Sequence, residues 1–153
     1  MFRQHRFPFP LVVLLSSALA AAFPVVSGEP TADQGTATSA QTPRFVVYYF
    51  HGNMRCATCR KLEAFSEEAI TAGFADELER GALAFRAVNV DEAENEHFVQ
   101  DFQLTNKSVV VVEYRDGEVA RFSNLNQIWQ KVGDKDDYLE YVGSSTREFI
   151  EKS

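Results

Sequence analysis

Cys56 and Cys59 are the residues whose type and spacing point most directly to chemistry. They are the only two cysteines in the chain and stand three positions apart, in the segment RCATC. A disulfide that serves stability normally closes a longer loop, because its stabilising effect grows with loop length. The spacing therefore favours a reactive dithiol, with a structural disulfide or an inert pair as the alternative.

The sequence around the pair predicts that it begins a helix. Residues 44–50 form an apolar run that indicates a buried central strand, and a short loop containing Gly52 follows. A helical pattern starts at Cys56, where free backbone N–H groups and the helix dipole favour a thiolate over a thiol. Cys59, one turn later, is expected beneath Cys56, so Cys56 is the predicted nucleophile and Cys59 the resolving thiol.

Basic side chains surround this predicted helix start. Arg55, Arg60 and Lys61 add positive charge beside the dithiol and are expected to lower the pKa of its thiols further. His51 is expected in the preceding loop, where it could accept a proton from the pair or serve only as a solvated or capping residue.

The same segment also allows a metal site. His51, Met54, Cys56 and Cys59 together offer an imidazole, a thioether and two thiolates, a set suited to Cu(I) or Zn. Met54 is equally typical of packing in such a loop. Soft-metal binding therefore remains an alternative to redox chemistry.

The order of predicted elements is β-α-β-α-β-β-α. After the strand at 44–50, a helical pattern runs to Arg80, interrupted near Gly73 and stopped at Gly81. Further segments follow: strands at 83–90, 108–114 and 118–122, a helix around 96–102, a short helix around Ile128, and a closing helix capped by Asp134. A strand-helix-strand crossover implies parallel pairing of the first two strands, whereas the Asp-Gly turn at 116–117 implies an antiparallel hairpin.

This order, with Cys-x-x-Cys between the first strand and first helix, resembles the thioredoxin fold. The strand leading into RCATC, the stretch VNVDEAEN and the hairpin YRDGEVARF carry the resemblance, which covers about residues 44–151. It implies an α/β domain with a central mixed sheet of about four strands flanked by helices. HGNMRCATCRKLEAF and NVDEAENEHFVQDFQL are also similar to small bacterial thioredoxin-fold proteins described as nitrophenyl compound nitroreductase subunits of the ArsF type.

Three positions depart from the thioredoxin pattern. Ser108 takes the place of the cis-proline that shapes the substrate groove and is thought to keep metal ions from the dithiol. Tyr49 or Phe50 stands where thioredoxin has a buried aspartate that accepts a proton, and Arg55 replaces the usual aromatic residue before the first cysteine. The loss of the proline weakens any expectation of thioredoxin-like substrate binding, and the departures together support keeping metal binding as an alternative.

The N-terminal segment predicts export. Residues 1–28 combine a positive start with an apolar stretch and small residues, as in a cleavable signal peptide, with an uncleaved anchor as the alternative. Residues 29–43 indicate a flexible linker, and 44–153 the thioredoxin-like domain. The net charge of −7 becomes more negative without the signal, which argues against nucleic acid or an anionic membrane surface as the partner.

The sequence therefore predicts an exported thiol-disulfide oxidoreductase or electron carrier of the bacterial envelope, periplasmic or secreted. It is expected to act as a monomer on a protein thiol or disulfide partner, without stable membrane insertion after signal cleavage. No cofactor is expected beyond the redox-active disulfide Cys56-Cys59. The alternatives are a copper- or zinc-binding envelope protein and a redox-inert adaptor with the same fold.

Overall fold

The computed structural model of the protein describes residues 42–153. The predicted signal at 1–28 and nearly all of the predicted linker at 29–43 lie outside the described residues. Both therefore stay predictions. Within the described part of the chain, no helix has the length and apolar character needed to cross a membrane.

Four strands of the described segment form one mixed sheet. They are β1 (Phe45–His51), β2 (Leu83–Asn89), β3 (Ser108–Arg115) and β4 (Glu118–Asn124). The order across the sheet is β2-β1-β3-β4; β1 runs parallel to β2, and β3 runs antiparallel to both β1 and β4. As a central strand covered on both faces, β1 is buried from Phe45 to Phe50, which is why its sequence is apolar without alternation.

Within residues 42–153, five helices accompany the sheet. They are α1 (Ala57–Gly73), α2 (Ala75–Glu79), α3 (His97–Asp101), α4 (Ile128–Lys131) and α5 (Lys135–Glu151). Val47 and Tyr49 of β1 belong to the core that packs against α1 and α5, whereas Tyr48 and Phe50 face the aromatic residues of the α3 region. Alternate side chains of β1 thus enter two separate cores, as the pleat of a strand requires.

The predicted breaks and turns are confirmed. The helical stretch after the dithiol is interrupted between Gly73 and Ala75, and the positive φ of Gly81 ends the region before β2. The side chain of Asp134 accepts a hydrogen bond from the Asp137 backbone N–H and caps α5. Positive φ angles at Asp116 and Gly117 close the β3-β4 hairpin.

The predicted fold class is confirmed by this topology. A β-α-β unit with parallel strands is followed by a helix, an antiparallel hairpin and a closing helix, and the sheet is flanked by helices on both faces. The protein has an α/β, thioredoxin-like fold.

The sheet directs three chain segments to one edge. Phe50 near the end of β1 pairs with Ser108 at the start of β3, and His51 pairs with Asn89 at the end of the parallel strand β2. The loops after β1 and β2 and the loop before β3 therefore meet at this edge. Helix α1, which carries the cysteines, also begins there.

The opposite end of the sheet holds a buried carboxylate. Glu113 on β3 is fully buried and accepts hydrogen bonds from three arginines, at 2.7 Å from Arg44, 2.9 Å from Arg115 and 2.6 Å from Arg121. Burial by itself would raise the pKa of Glu113, but the hydrogen bonds from the arginines outweigh it and lower the pKa to about 2.

Candidate functional site

The dithiol pair forms a disulfide at the N-terminus of α1. Cys56 is the N-cap residue, with an extended backbone, and its sulfur accepts a hydrogen bond from the Cys59 backbone N–H at 3.1 Å. Cys56 is exposed, whereas only 2% of the Cys59 surface is exposed. An incoming sulfur can therefore reach Cys56, while Cys59 lies behind it.

This position favours a thiolate on Cys56. The first N–H groups of a helix have no intrahelical acceptor, and one of them already points at the Cys56 sulfur. The partial positive charge of the helix N-terminus acts in the same direction. Once the disulfide is opened, the same N–H group can stabilise the negative sulfur.

Tyr49 lies on the strand face turned toward α1. Its hydroxyl donates a 2.7 Å hydrogen bond to the Cys59 carbonyl oxygen, and the side chain is fully buried. Burial, together with the neighbouring Tyr138, raises the pKa of Tyr49 to about 12. Phe50 points to the other core, so Tyr49 is the residue placed beneath the resolving cysteine.

His51 is the last residue of β1, so the prediction that it lies in the following loop was wrong: the strand ends one residue later than predicted. Its backbone pairs with Asn89 of β2, since the parallel ladder continues for one residue more than the apolar run. The ring nitrogen Nε2 lies 2.8 Å from Nη1 of Arg55, and Nδ1 lies 3.1 Å from the Gly52 carbonyl oxygen. Because a guanidinium can only donate, Nε2 accepts and Nδ1–H donates to the carbonyl.

Arg55 is held in place by neighbours on both sides. Its Nη2 forms an ion pair with the Glu63 carboxylate, and its side chain is only 30% exposed. The Nε atom is buried and has no hydrogen-bond partner among the described residues. The positive charge expected next to Cys56 is therefore present, but a carboxylate compensates it.

The other two predicted cations differ from Arg55. Arg60 donates from Nη1 to the Arg55 carbonyl oxygen at 2.9 Å, and Lys61 is exposed. Within residues 42–153 neither forms an ion pair. Of the three basic neighbours, only Arg55 pairs with a carboxylate in the described part of the chain.

Sequence reasoning missed two carboxylates that reach this site. Glu63 lies one helical turn beyond Cys59 on α1 but pairs with Arg55, which precedes the helix, so no i,i+4 spacing indicated the contact. Asp91 follows β2, whose end lies beside the end of β1; its Oδ2 accepts a 2.7 Å hydrogen bond from the Asn53 backbone N–H. The parallel pairing of the two strands was the signal for Asp91.

Ser108 lies buried at the start of β3, next to Phe50. Its hydroxyl donates to the Asn106 carbonyl oxygen at 2.9 Å, and all peptide bonds of the described segment, including the one before Ser108, are trans. The Trp129 indole N–H donates to the next carbonyl, that of Lys107, at 2.9 Å. Side chains of the protein itself thus occupy two carbonyls of the loop before β3.

A cavity of about 320 Å³ opens between the loop after β1 and the loop before β3. His51 and Met54 line one side, Thr105 and Lys107 the other. The Met54 side chain is 79% exposed at its rim. The site edge therefore combines a disulfide with an open, partly apolar hollow.

The four residues of the metal alternative do not form a donor set in this state. The cysteine sulfurs are bonded to each other, and both His51 nitrogens have partners. In the described part of the chain, no group of three or more His, Cys, Asp or Glu side chains is placed to hold a metal ion. Metal binding by these residues would require the reduced pair and a rearranged His51.

Comparison with known proteins adds little to this picture. No family model matches the chain, and no curated protein matches it. Among solved structures, the solution structure of a thioredoxin from Thermus thermophilus is similar over 59% of this chain and 72% of its own, with 17% sequence identity and a TM-score of 0.34. The similarity is too distant to inform function, and the fold class follows from the sheet order and helix positions.

Proposed function

We propose that this chain is an exported thiol-disulfide oxidoreductase or electron carrier that works through Cys56 and Cys59. The observation that carries the proposal is the disulfide at the start of α1, with an exposed sulfur on Cys56 and a buried one on Cys59. A disulfide buried on both sides would protect stability but could not exchange.

The exchange has two steps. A partner thiolate attacks the Cys56 sulfur; the Cys56–Cys59 bond breaks, a bond from the partner to Cys56 forms, and Cys59 leaves as a thiolate that takes a proton from water. A second partner thiol then loses its proton and attacks the partner's own sulfur in the mixed disulfide, and Cys56 leaves as a thiolate. Two electrons pass to this chain, and the partner keeps the disulfide.

The residues around the pair support this exchange in a form that differs from thioredoxin. Tyr49, with its raised pKa, stays protonated at neutral pH and donates to Cys59, so it does not accept the proton of that thiol. His51 ends β1 at the edge of the sheet where α1 begins, and its imidazole can carry a proton, although Arg55 occupies its Nε2 in the oxidised state. We therefore propose His51 as the residue that relays this proton between water and Cys59.

We also propose a location in the bacterial cell envelope, a protein partner and a monomeric state. A resident of the bacterial cell envelope would meet oxidising conditions that make a dithiol useful. The segments HGNMRCATCRKLEAF and NVDEAENEHFVQDFQL are similar to small nitroreductase subunits of the ArsF type, and on this ground the chain is proposed to have a role like theirs. The partner is a protein thiol or disulfide, and the chain acts as a monomer.

Trapping tests the proposal. In the reverse direction the Cys56 thiolate attacks a partner disulfide, and Cys59 then resolves the mixed disulfide by attacking the Cys56 sulfur and releasing the partner thiolate. Reduced Cys59→Ser lacks this second step, so a covalent adduct through Cys56 should accumulate with a partner disulfide and disappear on reduction. Cys56→Ser is the matched control, because its one remaining thiol, that of Cys59, is buried and out of reach of a partner. Mass spectrometry of the adduct should locate Cys56 in the bond.

Two outcomes would overturn the redox function. If neither variant forms an adduct and the native disulfide resists excess dithiothreitol, the bridge is structural. If the double variant Cys56→Ser/Cys59→Ser still binds the same partner with unchanged affinity, the chain acts as an adaptor.

A further inference from the structure

Arg55, His51 and Glu63 form a connected group beside the exposed cysteine. Arg55 directly precedes Cys56, and its guanidinium bridges the Glu63 carboxylate on α1 and the His51 ring at the end of β1. The side chains of Arg55 and Glu63 are 30% and 25% exposed, so both are largely withdrawn from water. An ion pair in such a position is screened less than one on the open surface.

The three nitrogens of the guanidinium are not used equally. Nη2 binds Glu63 and Nη1 binds His51, whereas the buried Nε has no partner in the described residues. Among the described residues, neither Nη1 nor Nη2 donates a hydrogen bond to a cysteine sulfur. In the oxidised state, the positive charge of Arg55 is therefore paired with the Glu63 carboxylate and not with a cysteine sulfur.

A cation next to Cys56 normally stabilises its thiolate and makes the dithiol pair more oxidising. A carboxylate paired with that cation opposes the effect. Arg60 and Lys61 lie near the same helix start without an ion pair in the described part of the chain, and they are exposed to solvent screening. Among the basic neighbours, Arg55 is thus the one whose influence a specific residue controls.

We propose that Glu63 is a positioning residue that holds Arg55 against His51 and thereby keeps the Cys56–Cys59 pair less oxidising than its basic surroundings alone would make it. The inference rests on the proposed function, because it concerns the redox behaviour of the same pair. Glu63 does not touch the reacting sulfurs in this arrangement. It acts through Arg55.

Equilibrium with glutathione measures the effect directly. Two glutathione molecules reduce the Cys56–Cys59 bond to two thiols and become one molecule of oxidised glutathione, so electrons and protons balance. Glu63→Gln should shift this equilibrium toward the dithiol by about threefold to tenfold, the larger figure corresponding to about 30 mV for a two-electron couple. Arg55→Gln should shift it in the opposite direction.

The double variant Arg55→Gln/Glu63→Gln separates an action through Arg55 from a direct one. If Glu63 acts through Arg55, the double variant behaves like Arg55→Gln alone. Glu67→Gln is the matched control: Glu67 lies one turn further along α1, lines a shallow surface hollow together with Arg55 and Glu63, and forms no ion pair among residues 42–153. It removes the same charge and should leave the equilibrium unchanged.

Thermal unfolding of each oxidised variant is the control for folding. A variant that keeps its melting temperature but shifts the glutathione equilibrium has changed its redox behaviour and not its fold. If the unaltered protein equilibrates with glutathione and Glu63→Gln leaves that equilibrium unchanged, the role of Glu63 is overturned while the proposed redox function stands. An equal shift in Glu67→Gln, or an undiminished effect of Glu63→Gln in the Arg55→Gln background, also overturns it. If the unaltered pair does not exchange with glutathione at all, the proposed function fails and the inference with it.

Discussion

The hydroxyl of Tyr49 donates a 2.7 Å hydrogen bond to the carbonyl oxygen of Cys59. This contact ties the central strand to the first turn of α1 at the residue that carries the buried sulfur. Because burial raises the pKa of Tyr49 to about 12, the hydroxyl remains a donor across the physiological pH range. The residue therefore supports the position of Cys59 but does not supply a base.

Removing that hydroxyl should loosen the dithiol turn. Tyr49→Phe is expected to lower the free energy of unfolding by about 1 kcal/mol, the usual net value of one hydrogen bond. Tyr48→Phe is the matched control, since it removes a hydroxyl that bonds Tyr114 in the other core, at 3.0 Å. Urea unfolding measures both, and reactivity of the reduced pair toward iodoacetamide should change only in Tyr49→Phe. Equal reactivity of the two variants would contradict a specific role.

Glu113 should make stability depend on acid pH. Its pKa of about 2 in the folded protein lies below the ordinary value of 4.5, so its contribution is present above pH 4.5 and is lost as the pH falls from 4.5 toward 2. Glu113→Gln should therefore be less stable than the unaltered protein at pH 7, and the difference should shrink across that window. Thermal unfolding at a series of pH values measures it.

Glu118→Gln is a suitable control for this series, because Glu118 is exposed on the neighbouring strand and forms no ion pair in the described segment. Its stability curve should run parallel to that of the unaltered protein. A difference for Glu113→Gln that stays constant from pH 7 to pH 2 would refute the assignment.

Gly52 should tolerate no side chain. A Cβ atom at this position would lie 2.7 Å from Oδ2 of Asp91, the oxygen that accepts the Asn53 N–H. Gly52→Ala should cost about 1–3 kcal/mol of stability, as overpacking does. Gly143 lies within α5, and a Cβ atom added there would have no neighbour within 4 Å. Gly143→Ala should therefore raise the free energy of unfolding by about 0.5–1 kcal/mol.

Asp91→Ala in the Gly52→Ala background tests the cause of that loss. Because it removes the clashing oxygen, the double variant should lose less stability than the sum of the single variants. Additive losses in urea unfolding would show that the contact between Gly52 and Asp91 is not what limits the position.

Copper binding distinguishes the metal alternative from redox chemistry. His51 has both ring nitrogens occupied, so we expect any Cu(I) bound by the reduced protein to depend on the two cysteines alone. Competition titrations with a Cu(I) chelator should give the same affinity for His51→Ala, Met54→Leu and the unaltered protein. A tenfold or larger loss of affinity in either variant would favour the soft-metal site.

Much of the fold followed from local patterns. The buried run of β1, the interrupted helix after Cys56, the Asp-Gly turn and the Asp134 cap each depend on residues close together in the chain, so the sequence alone located them. The dithiol at a helix start was predicted for the same reason. The end of β1 was predicted one residue early, because the pairing of His51 with Asn89 depends on a second strand.

The surroundings of the dithiol depend on contacts across the chain. Sequence alone determined that Cys56 and Cys59 begin a helix after a buried strand and that basic residues lie beside them. Only the tertiary structure decided that Glu63 neutralises Arg55, that Tyr49 reaches Cys59, and that Asp91 closes over the loop at Gly52. Periodicity shows which face of an element is buried, whereas the partner of each polar group depends on how the packed elements bring distant side chains together.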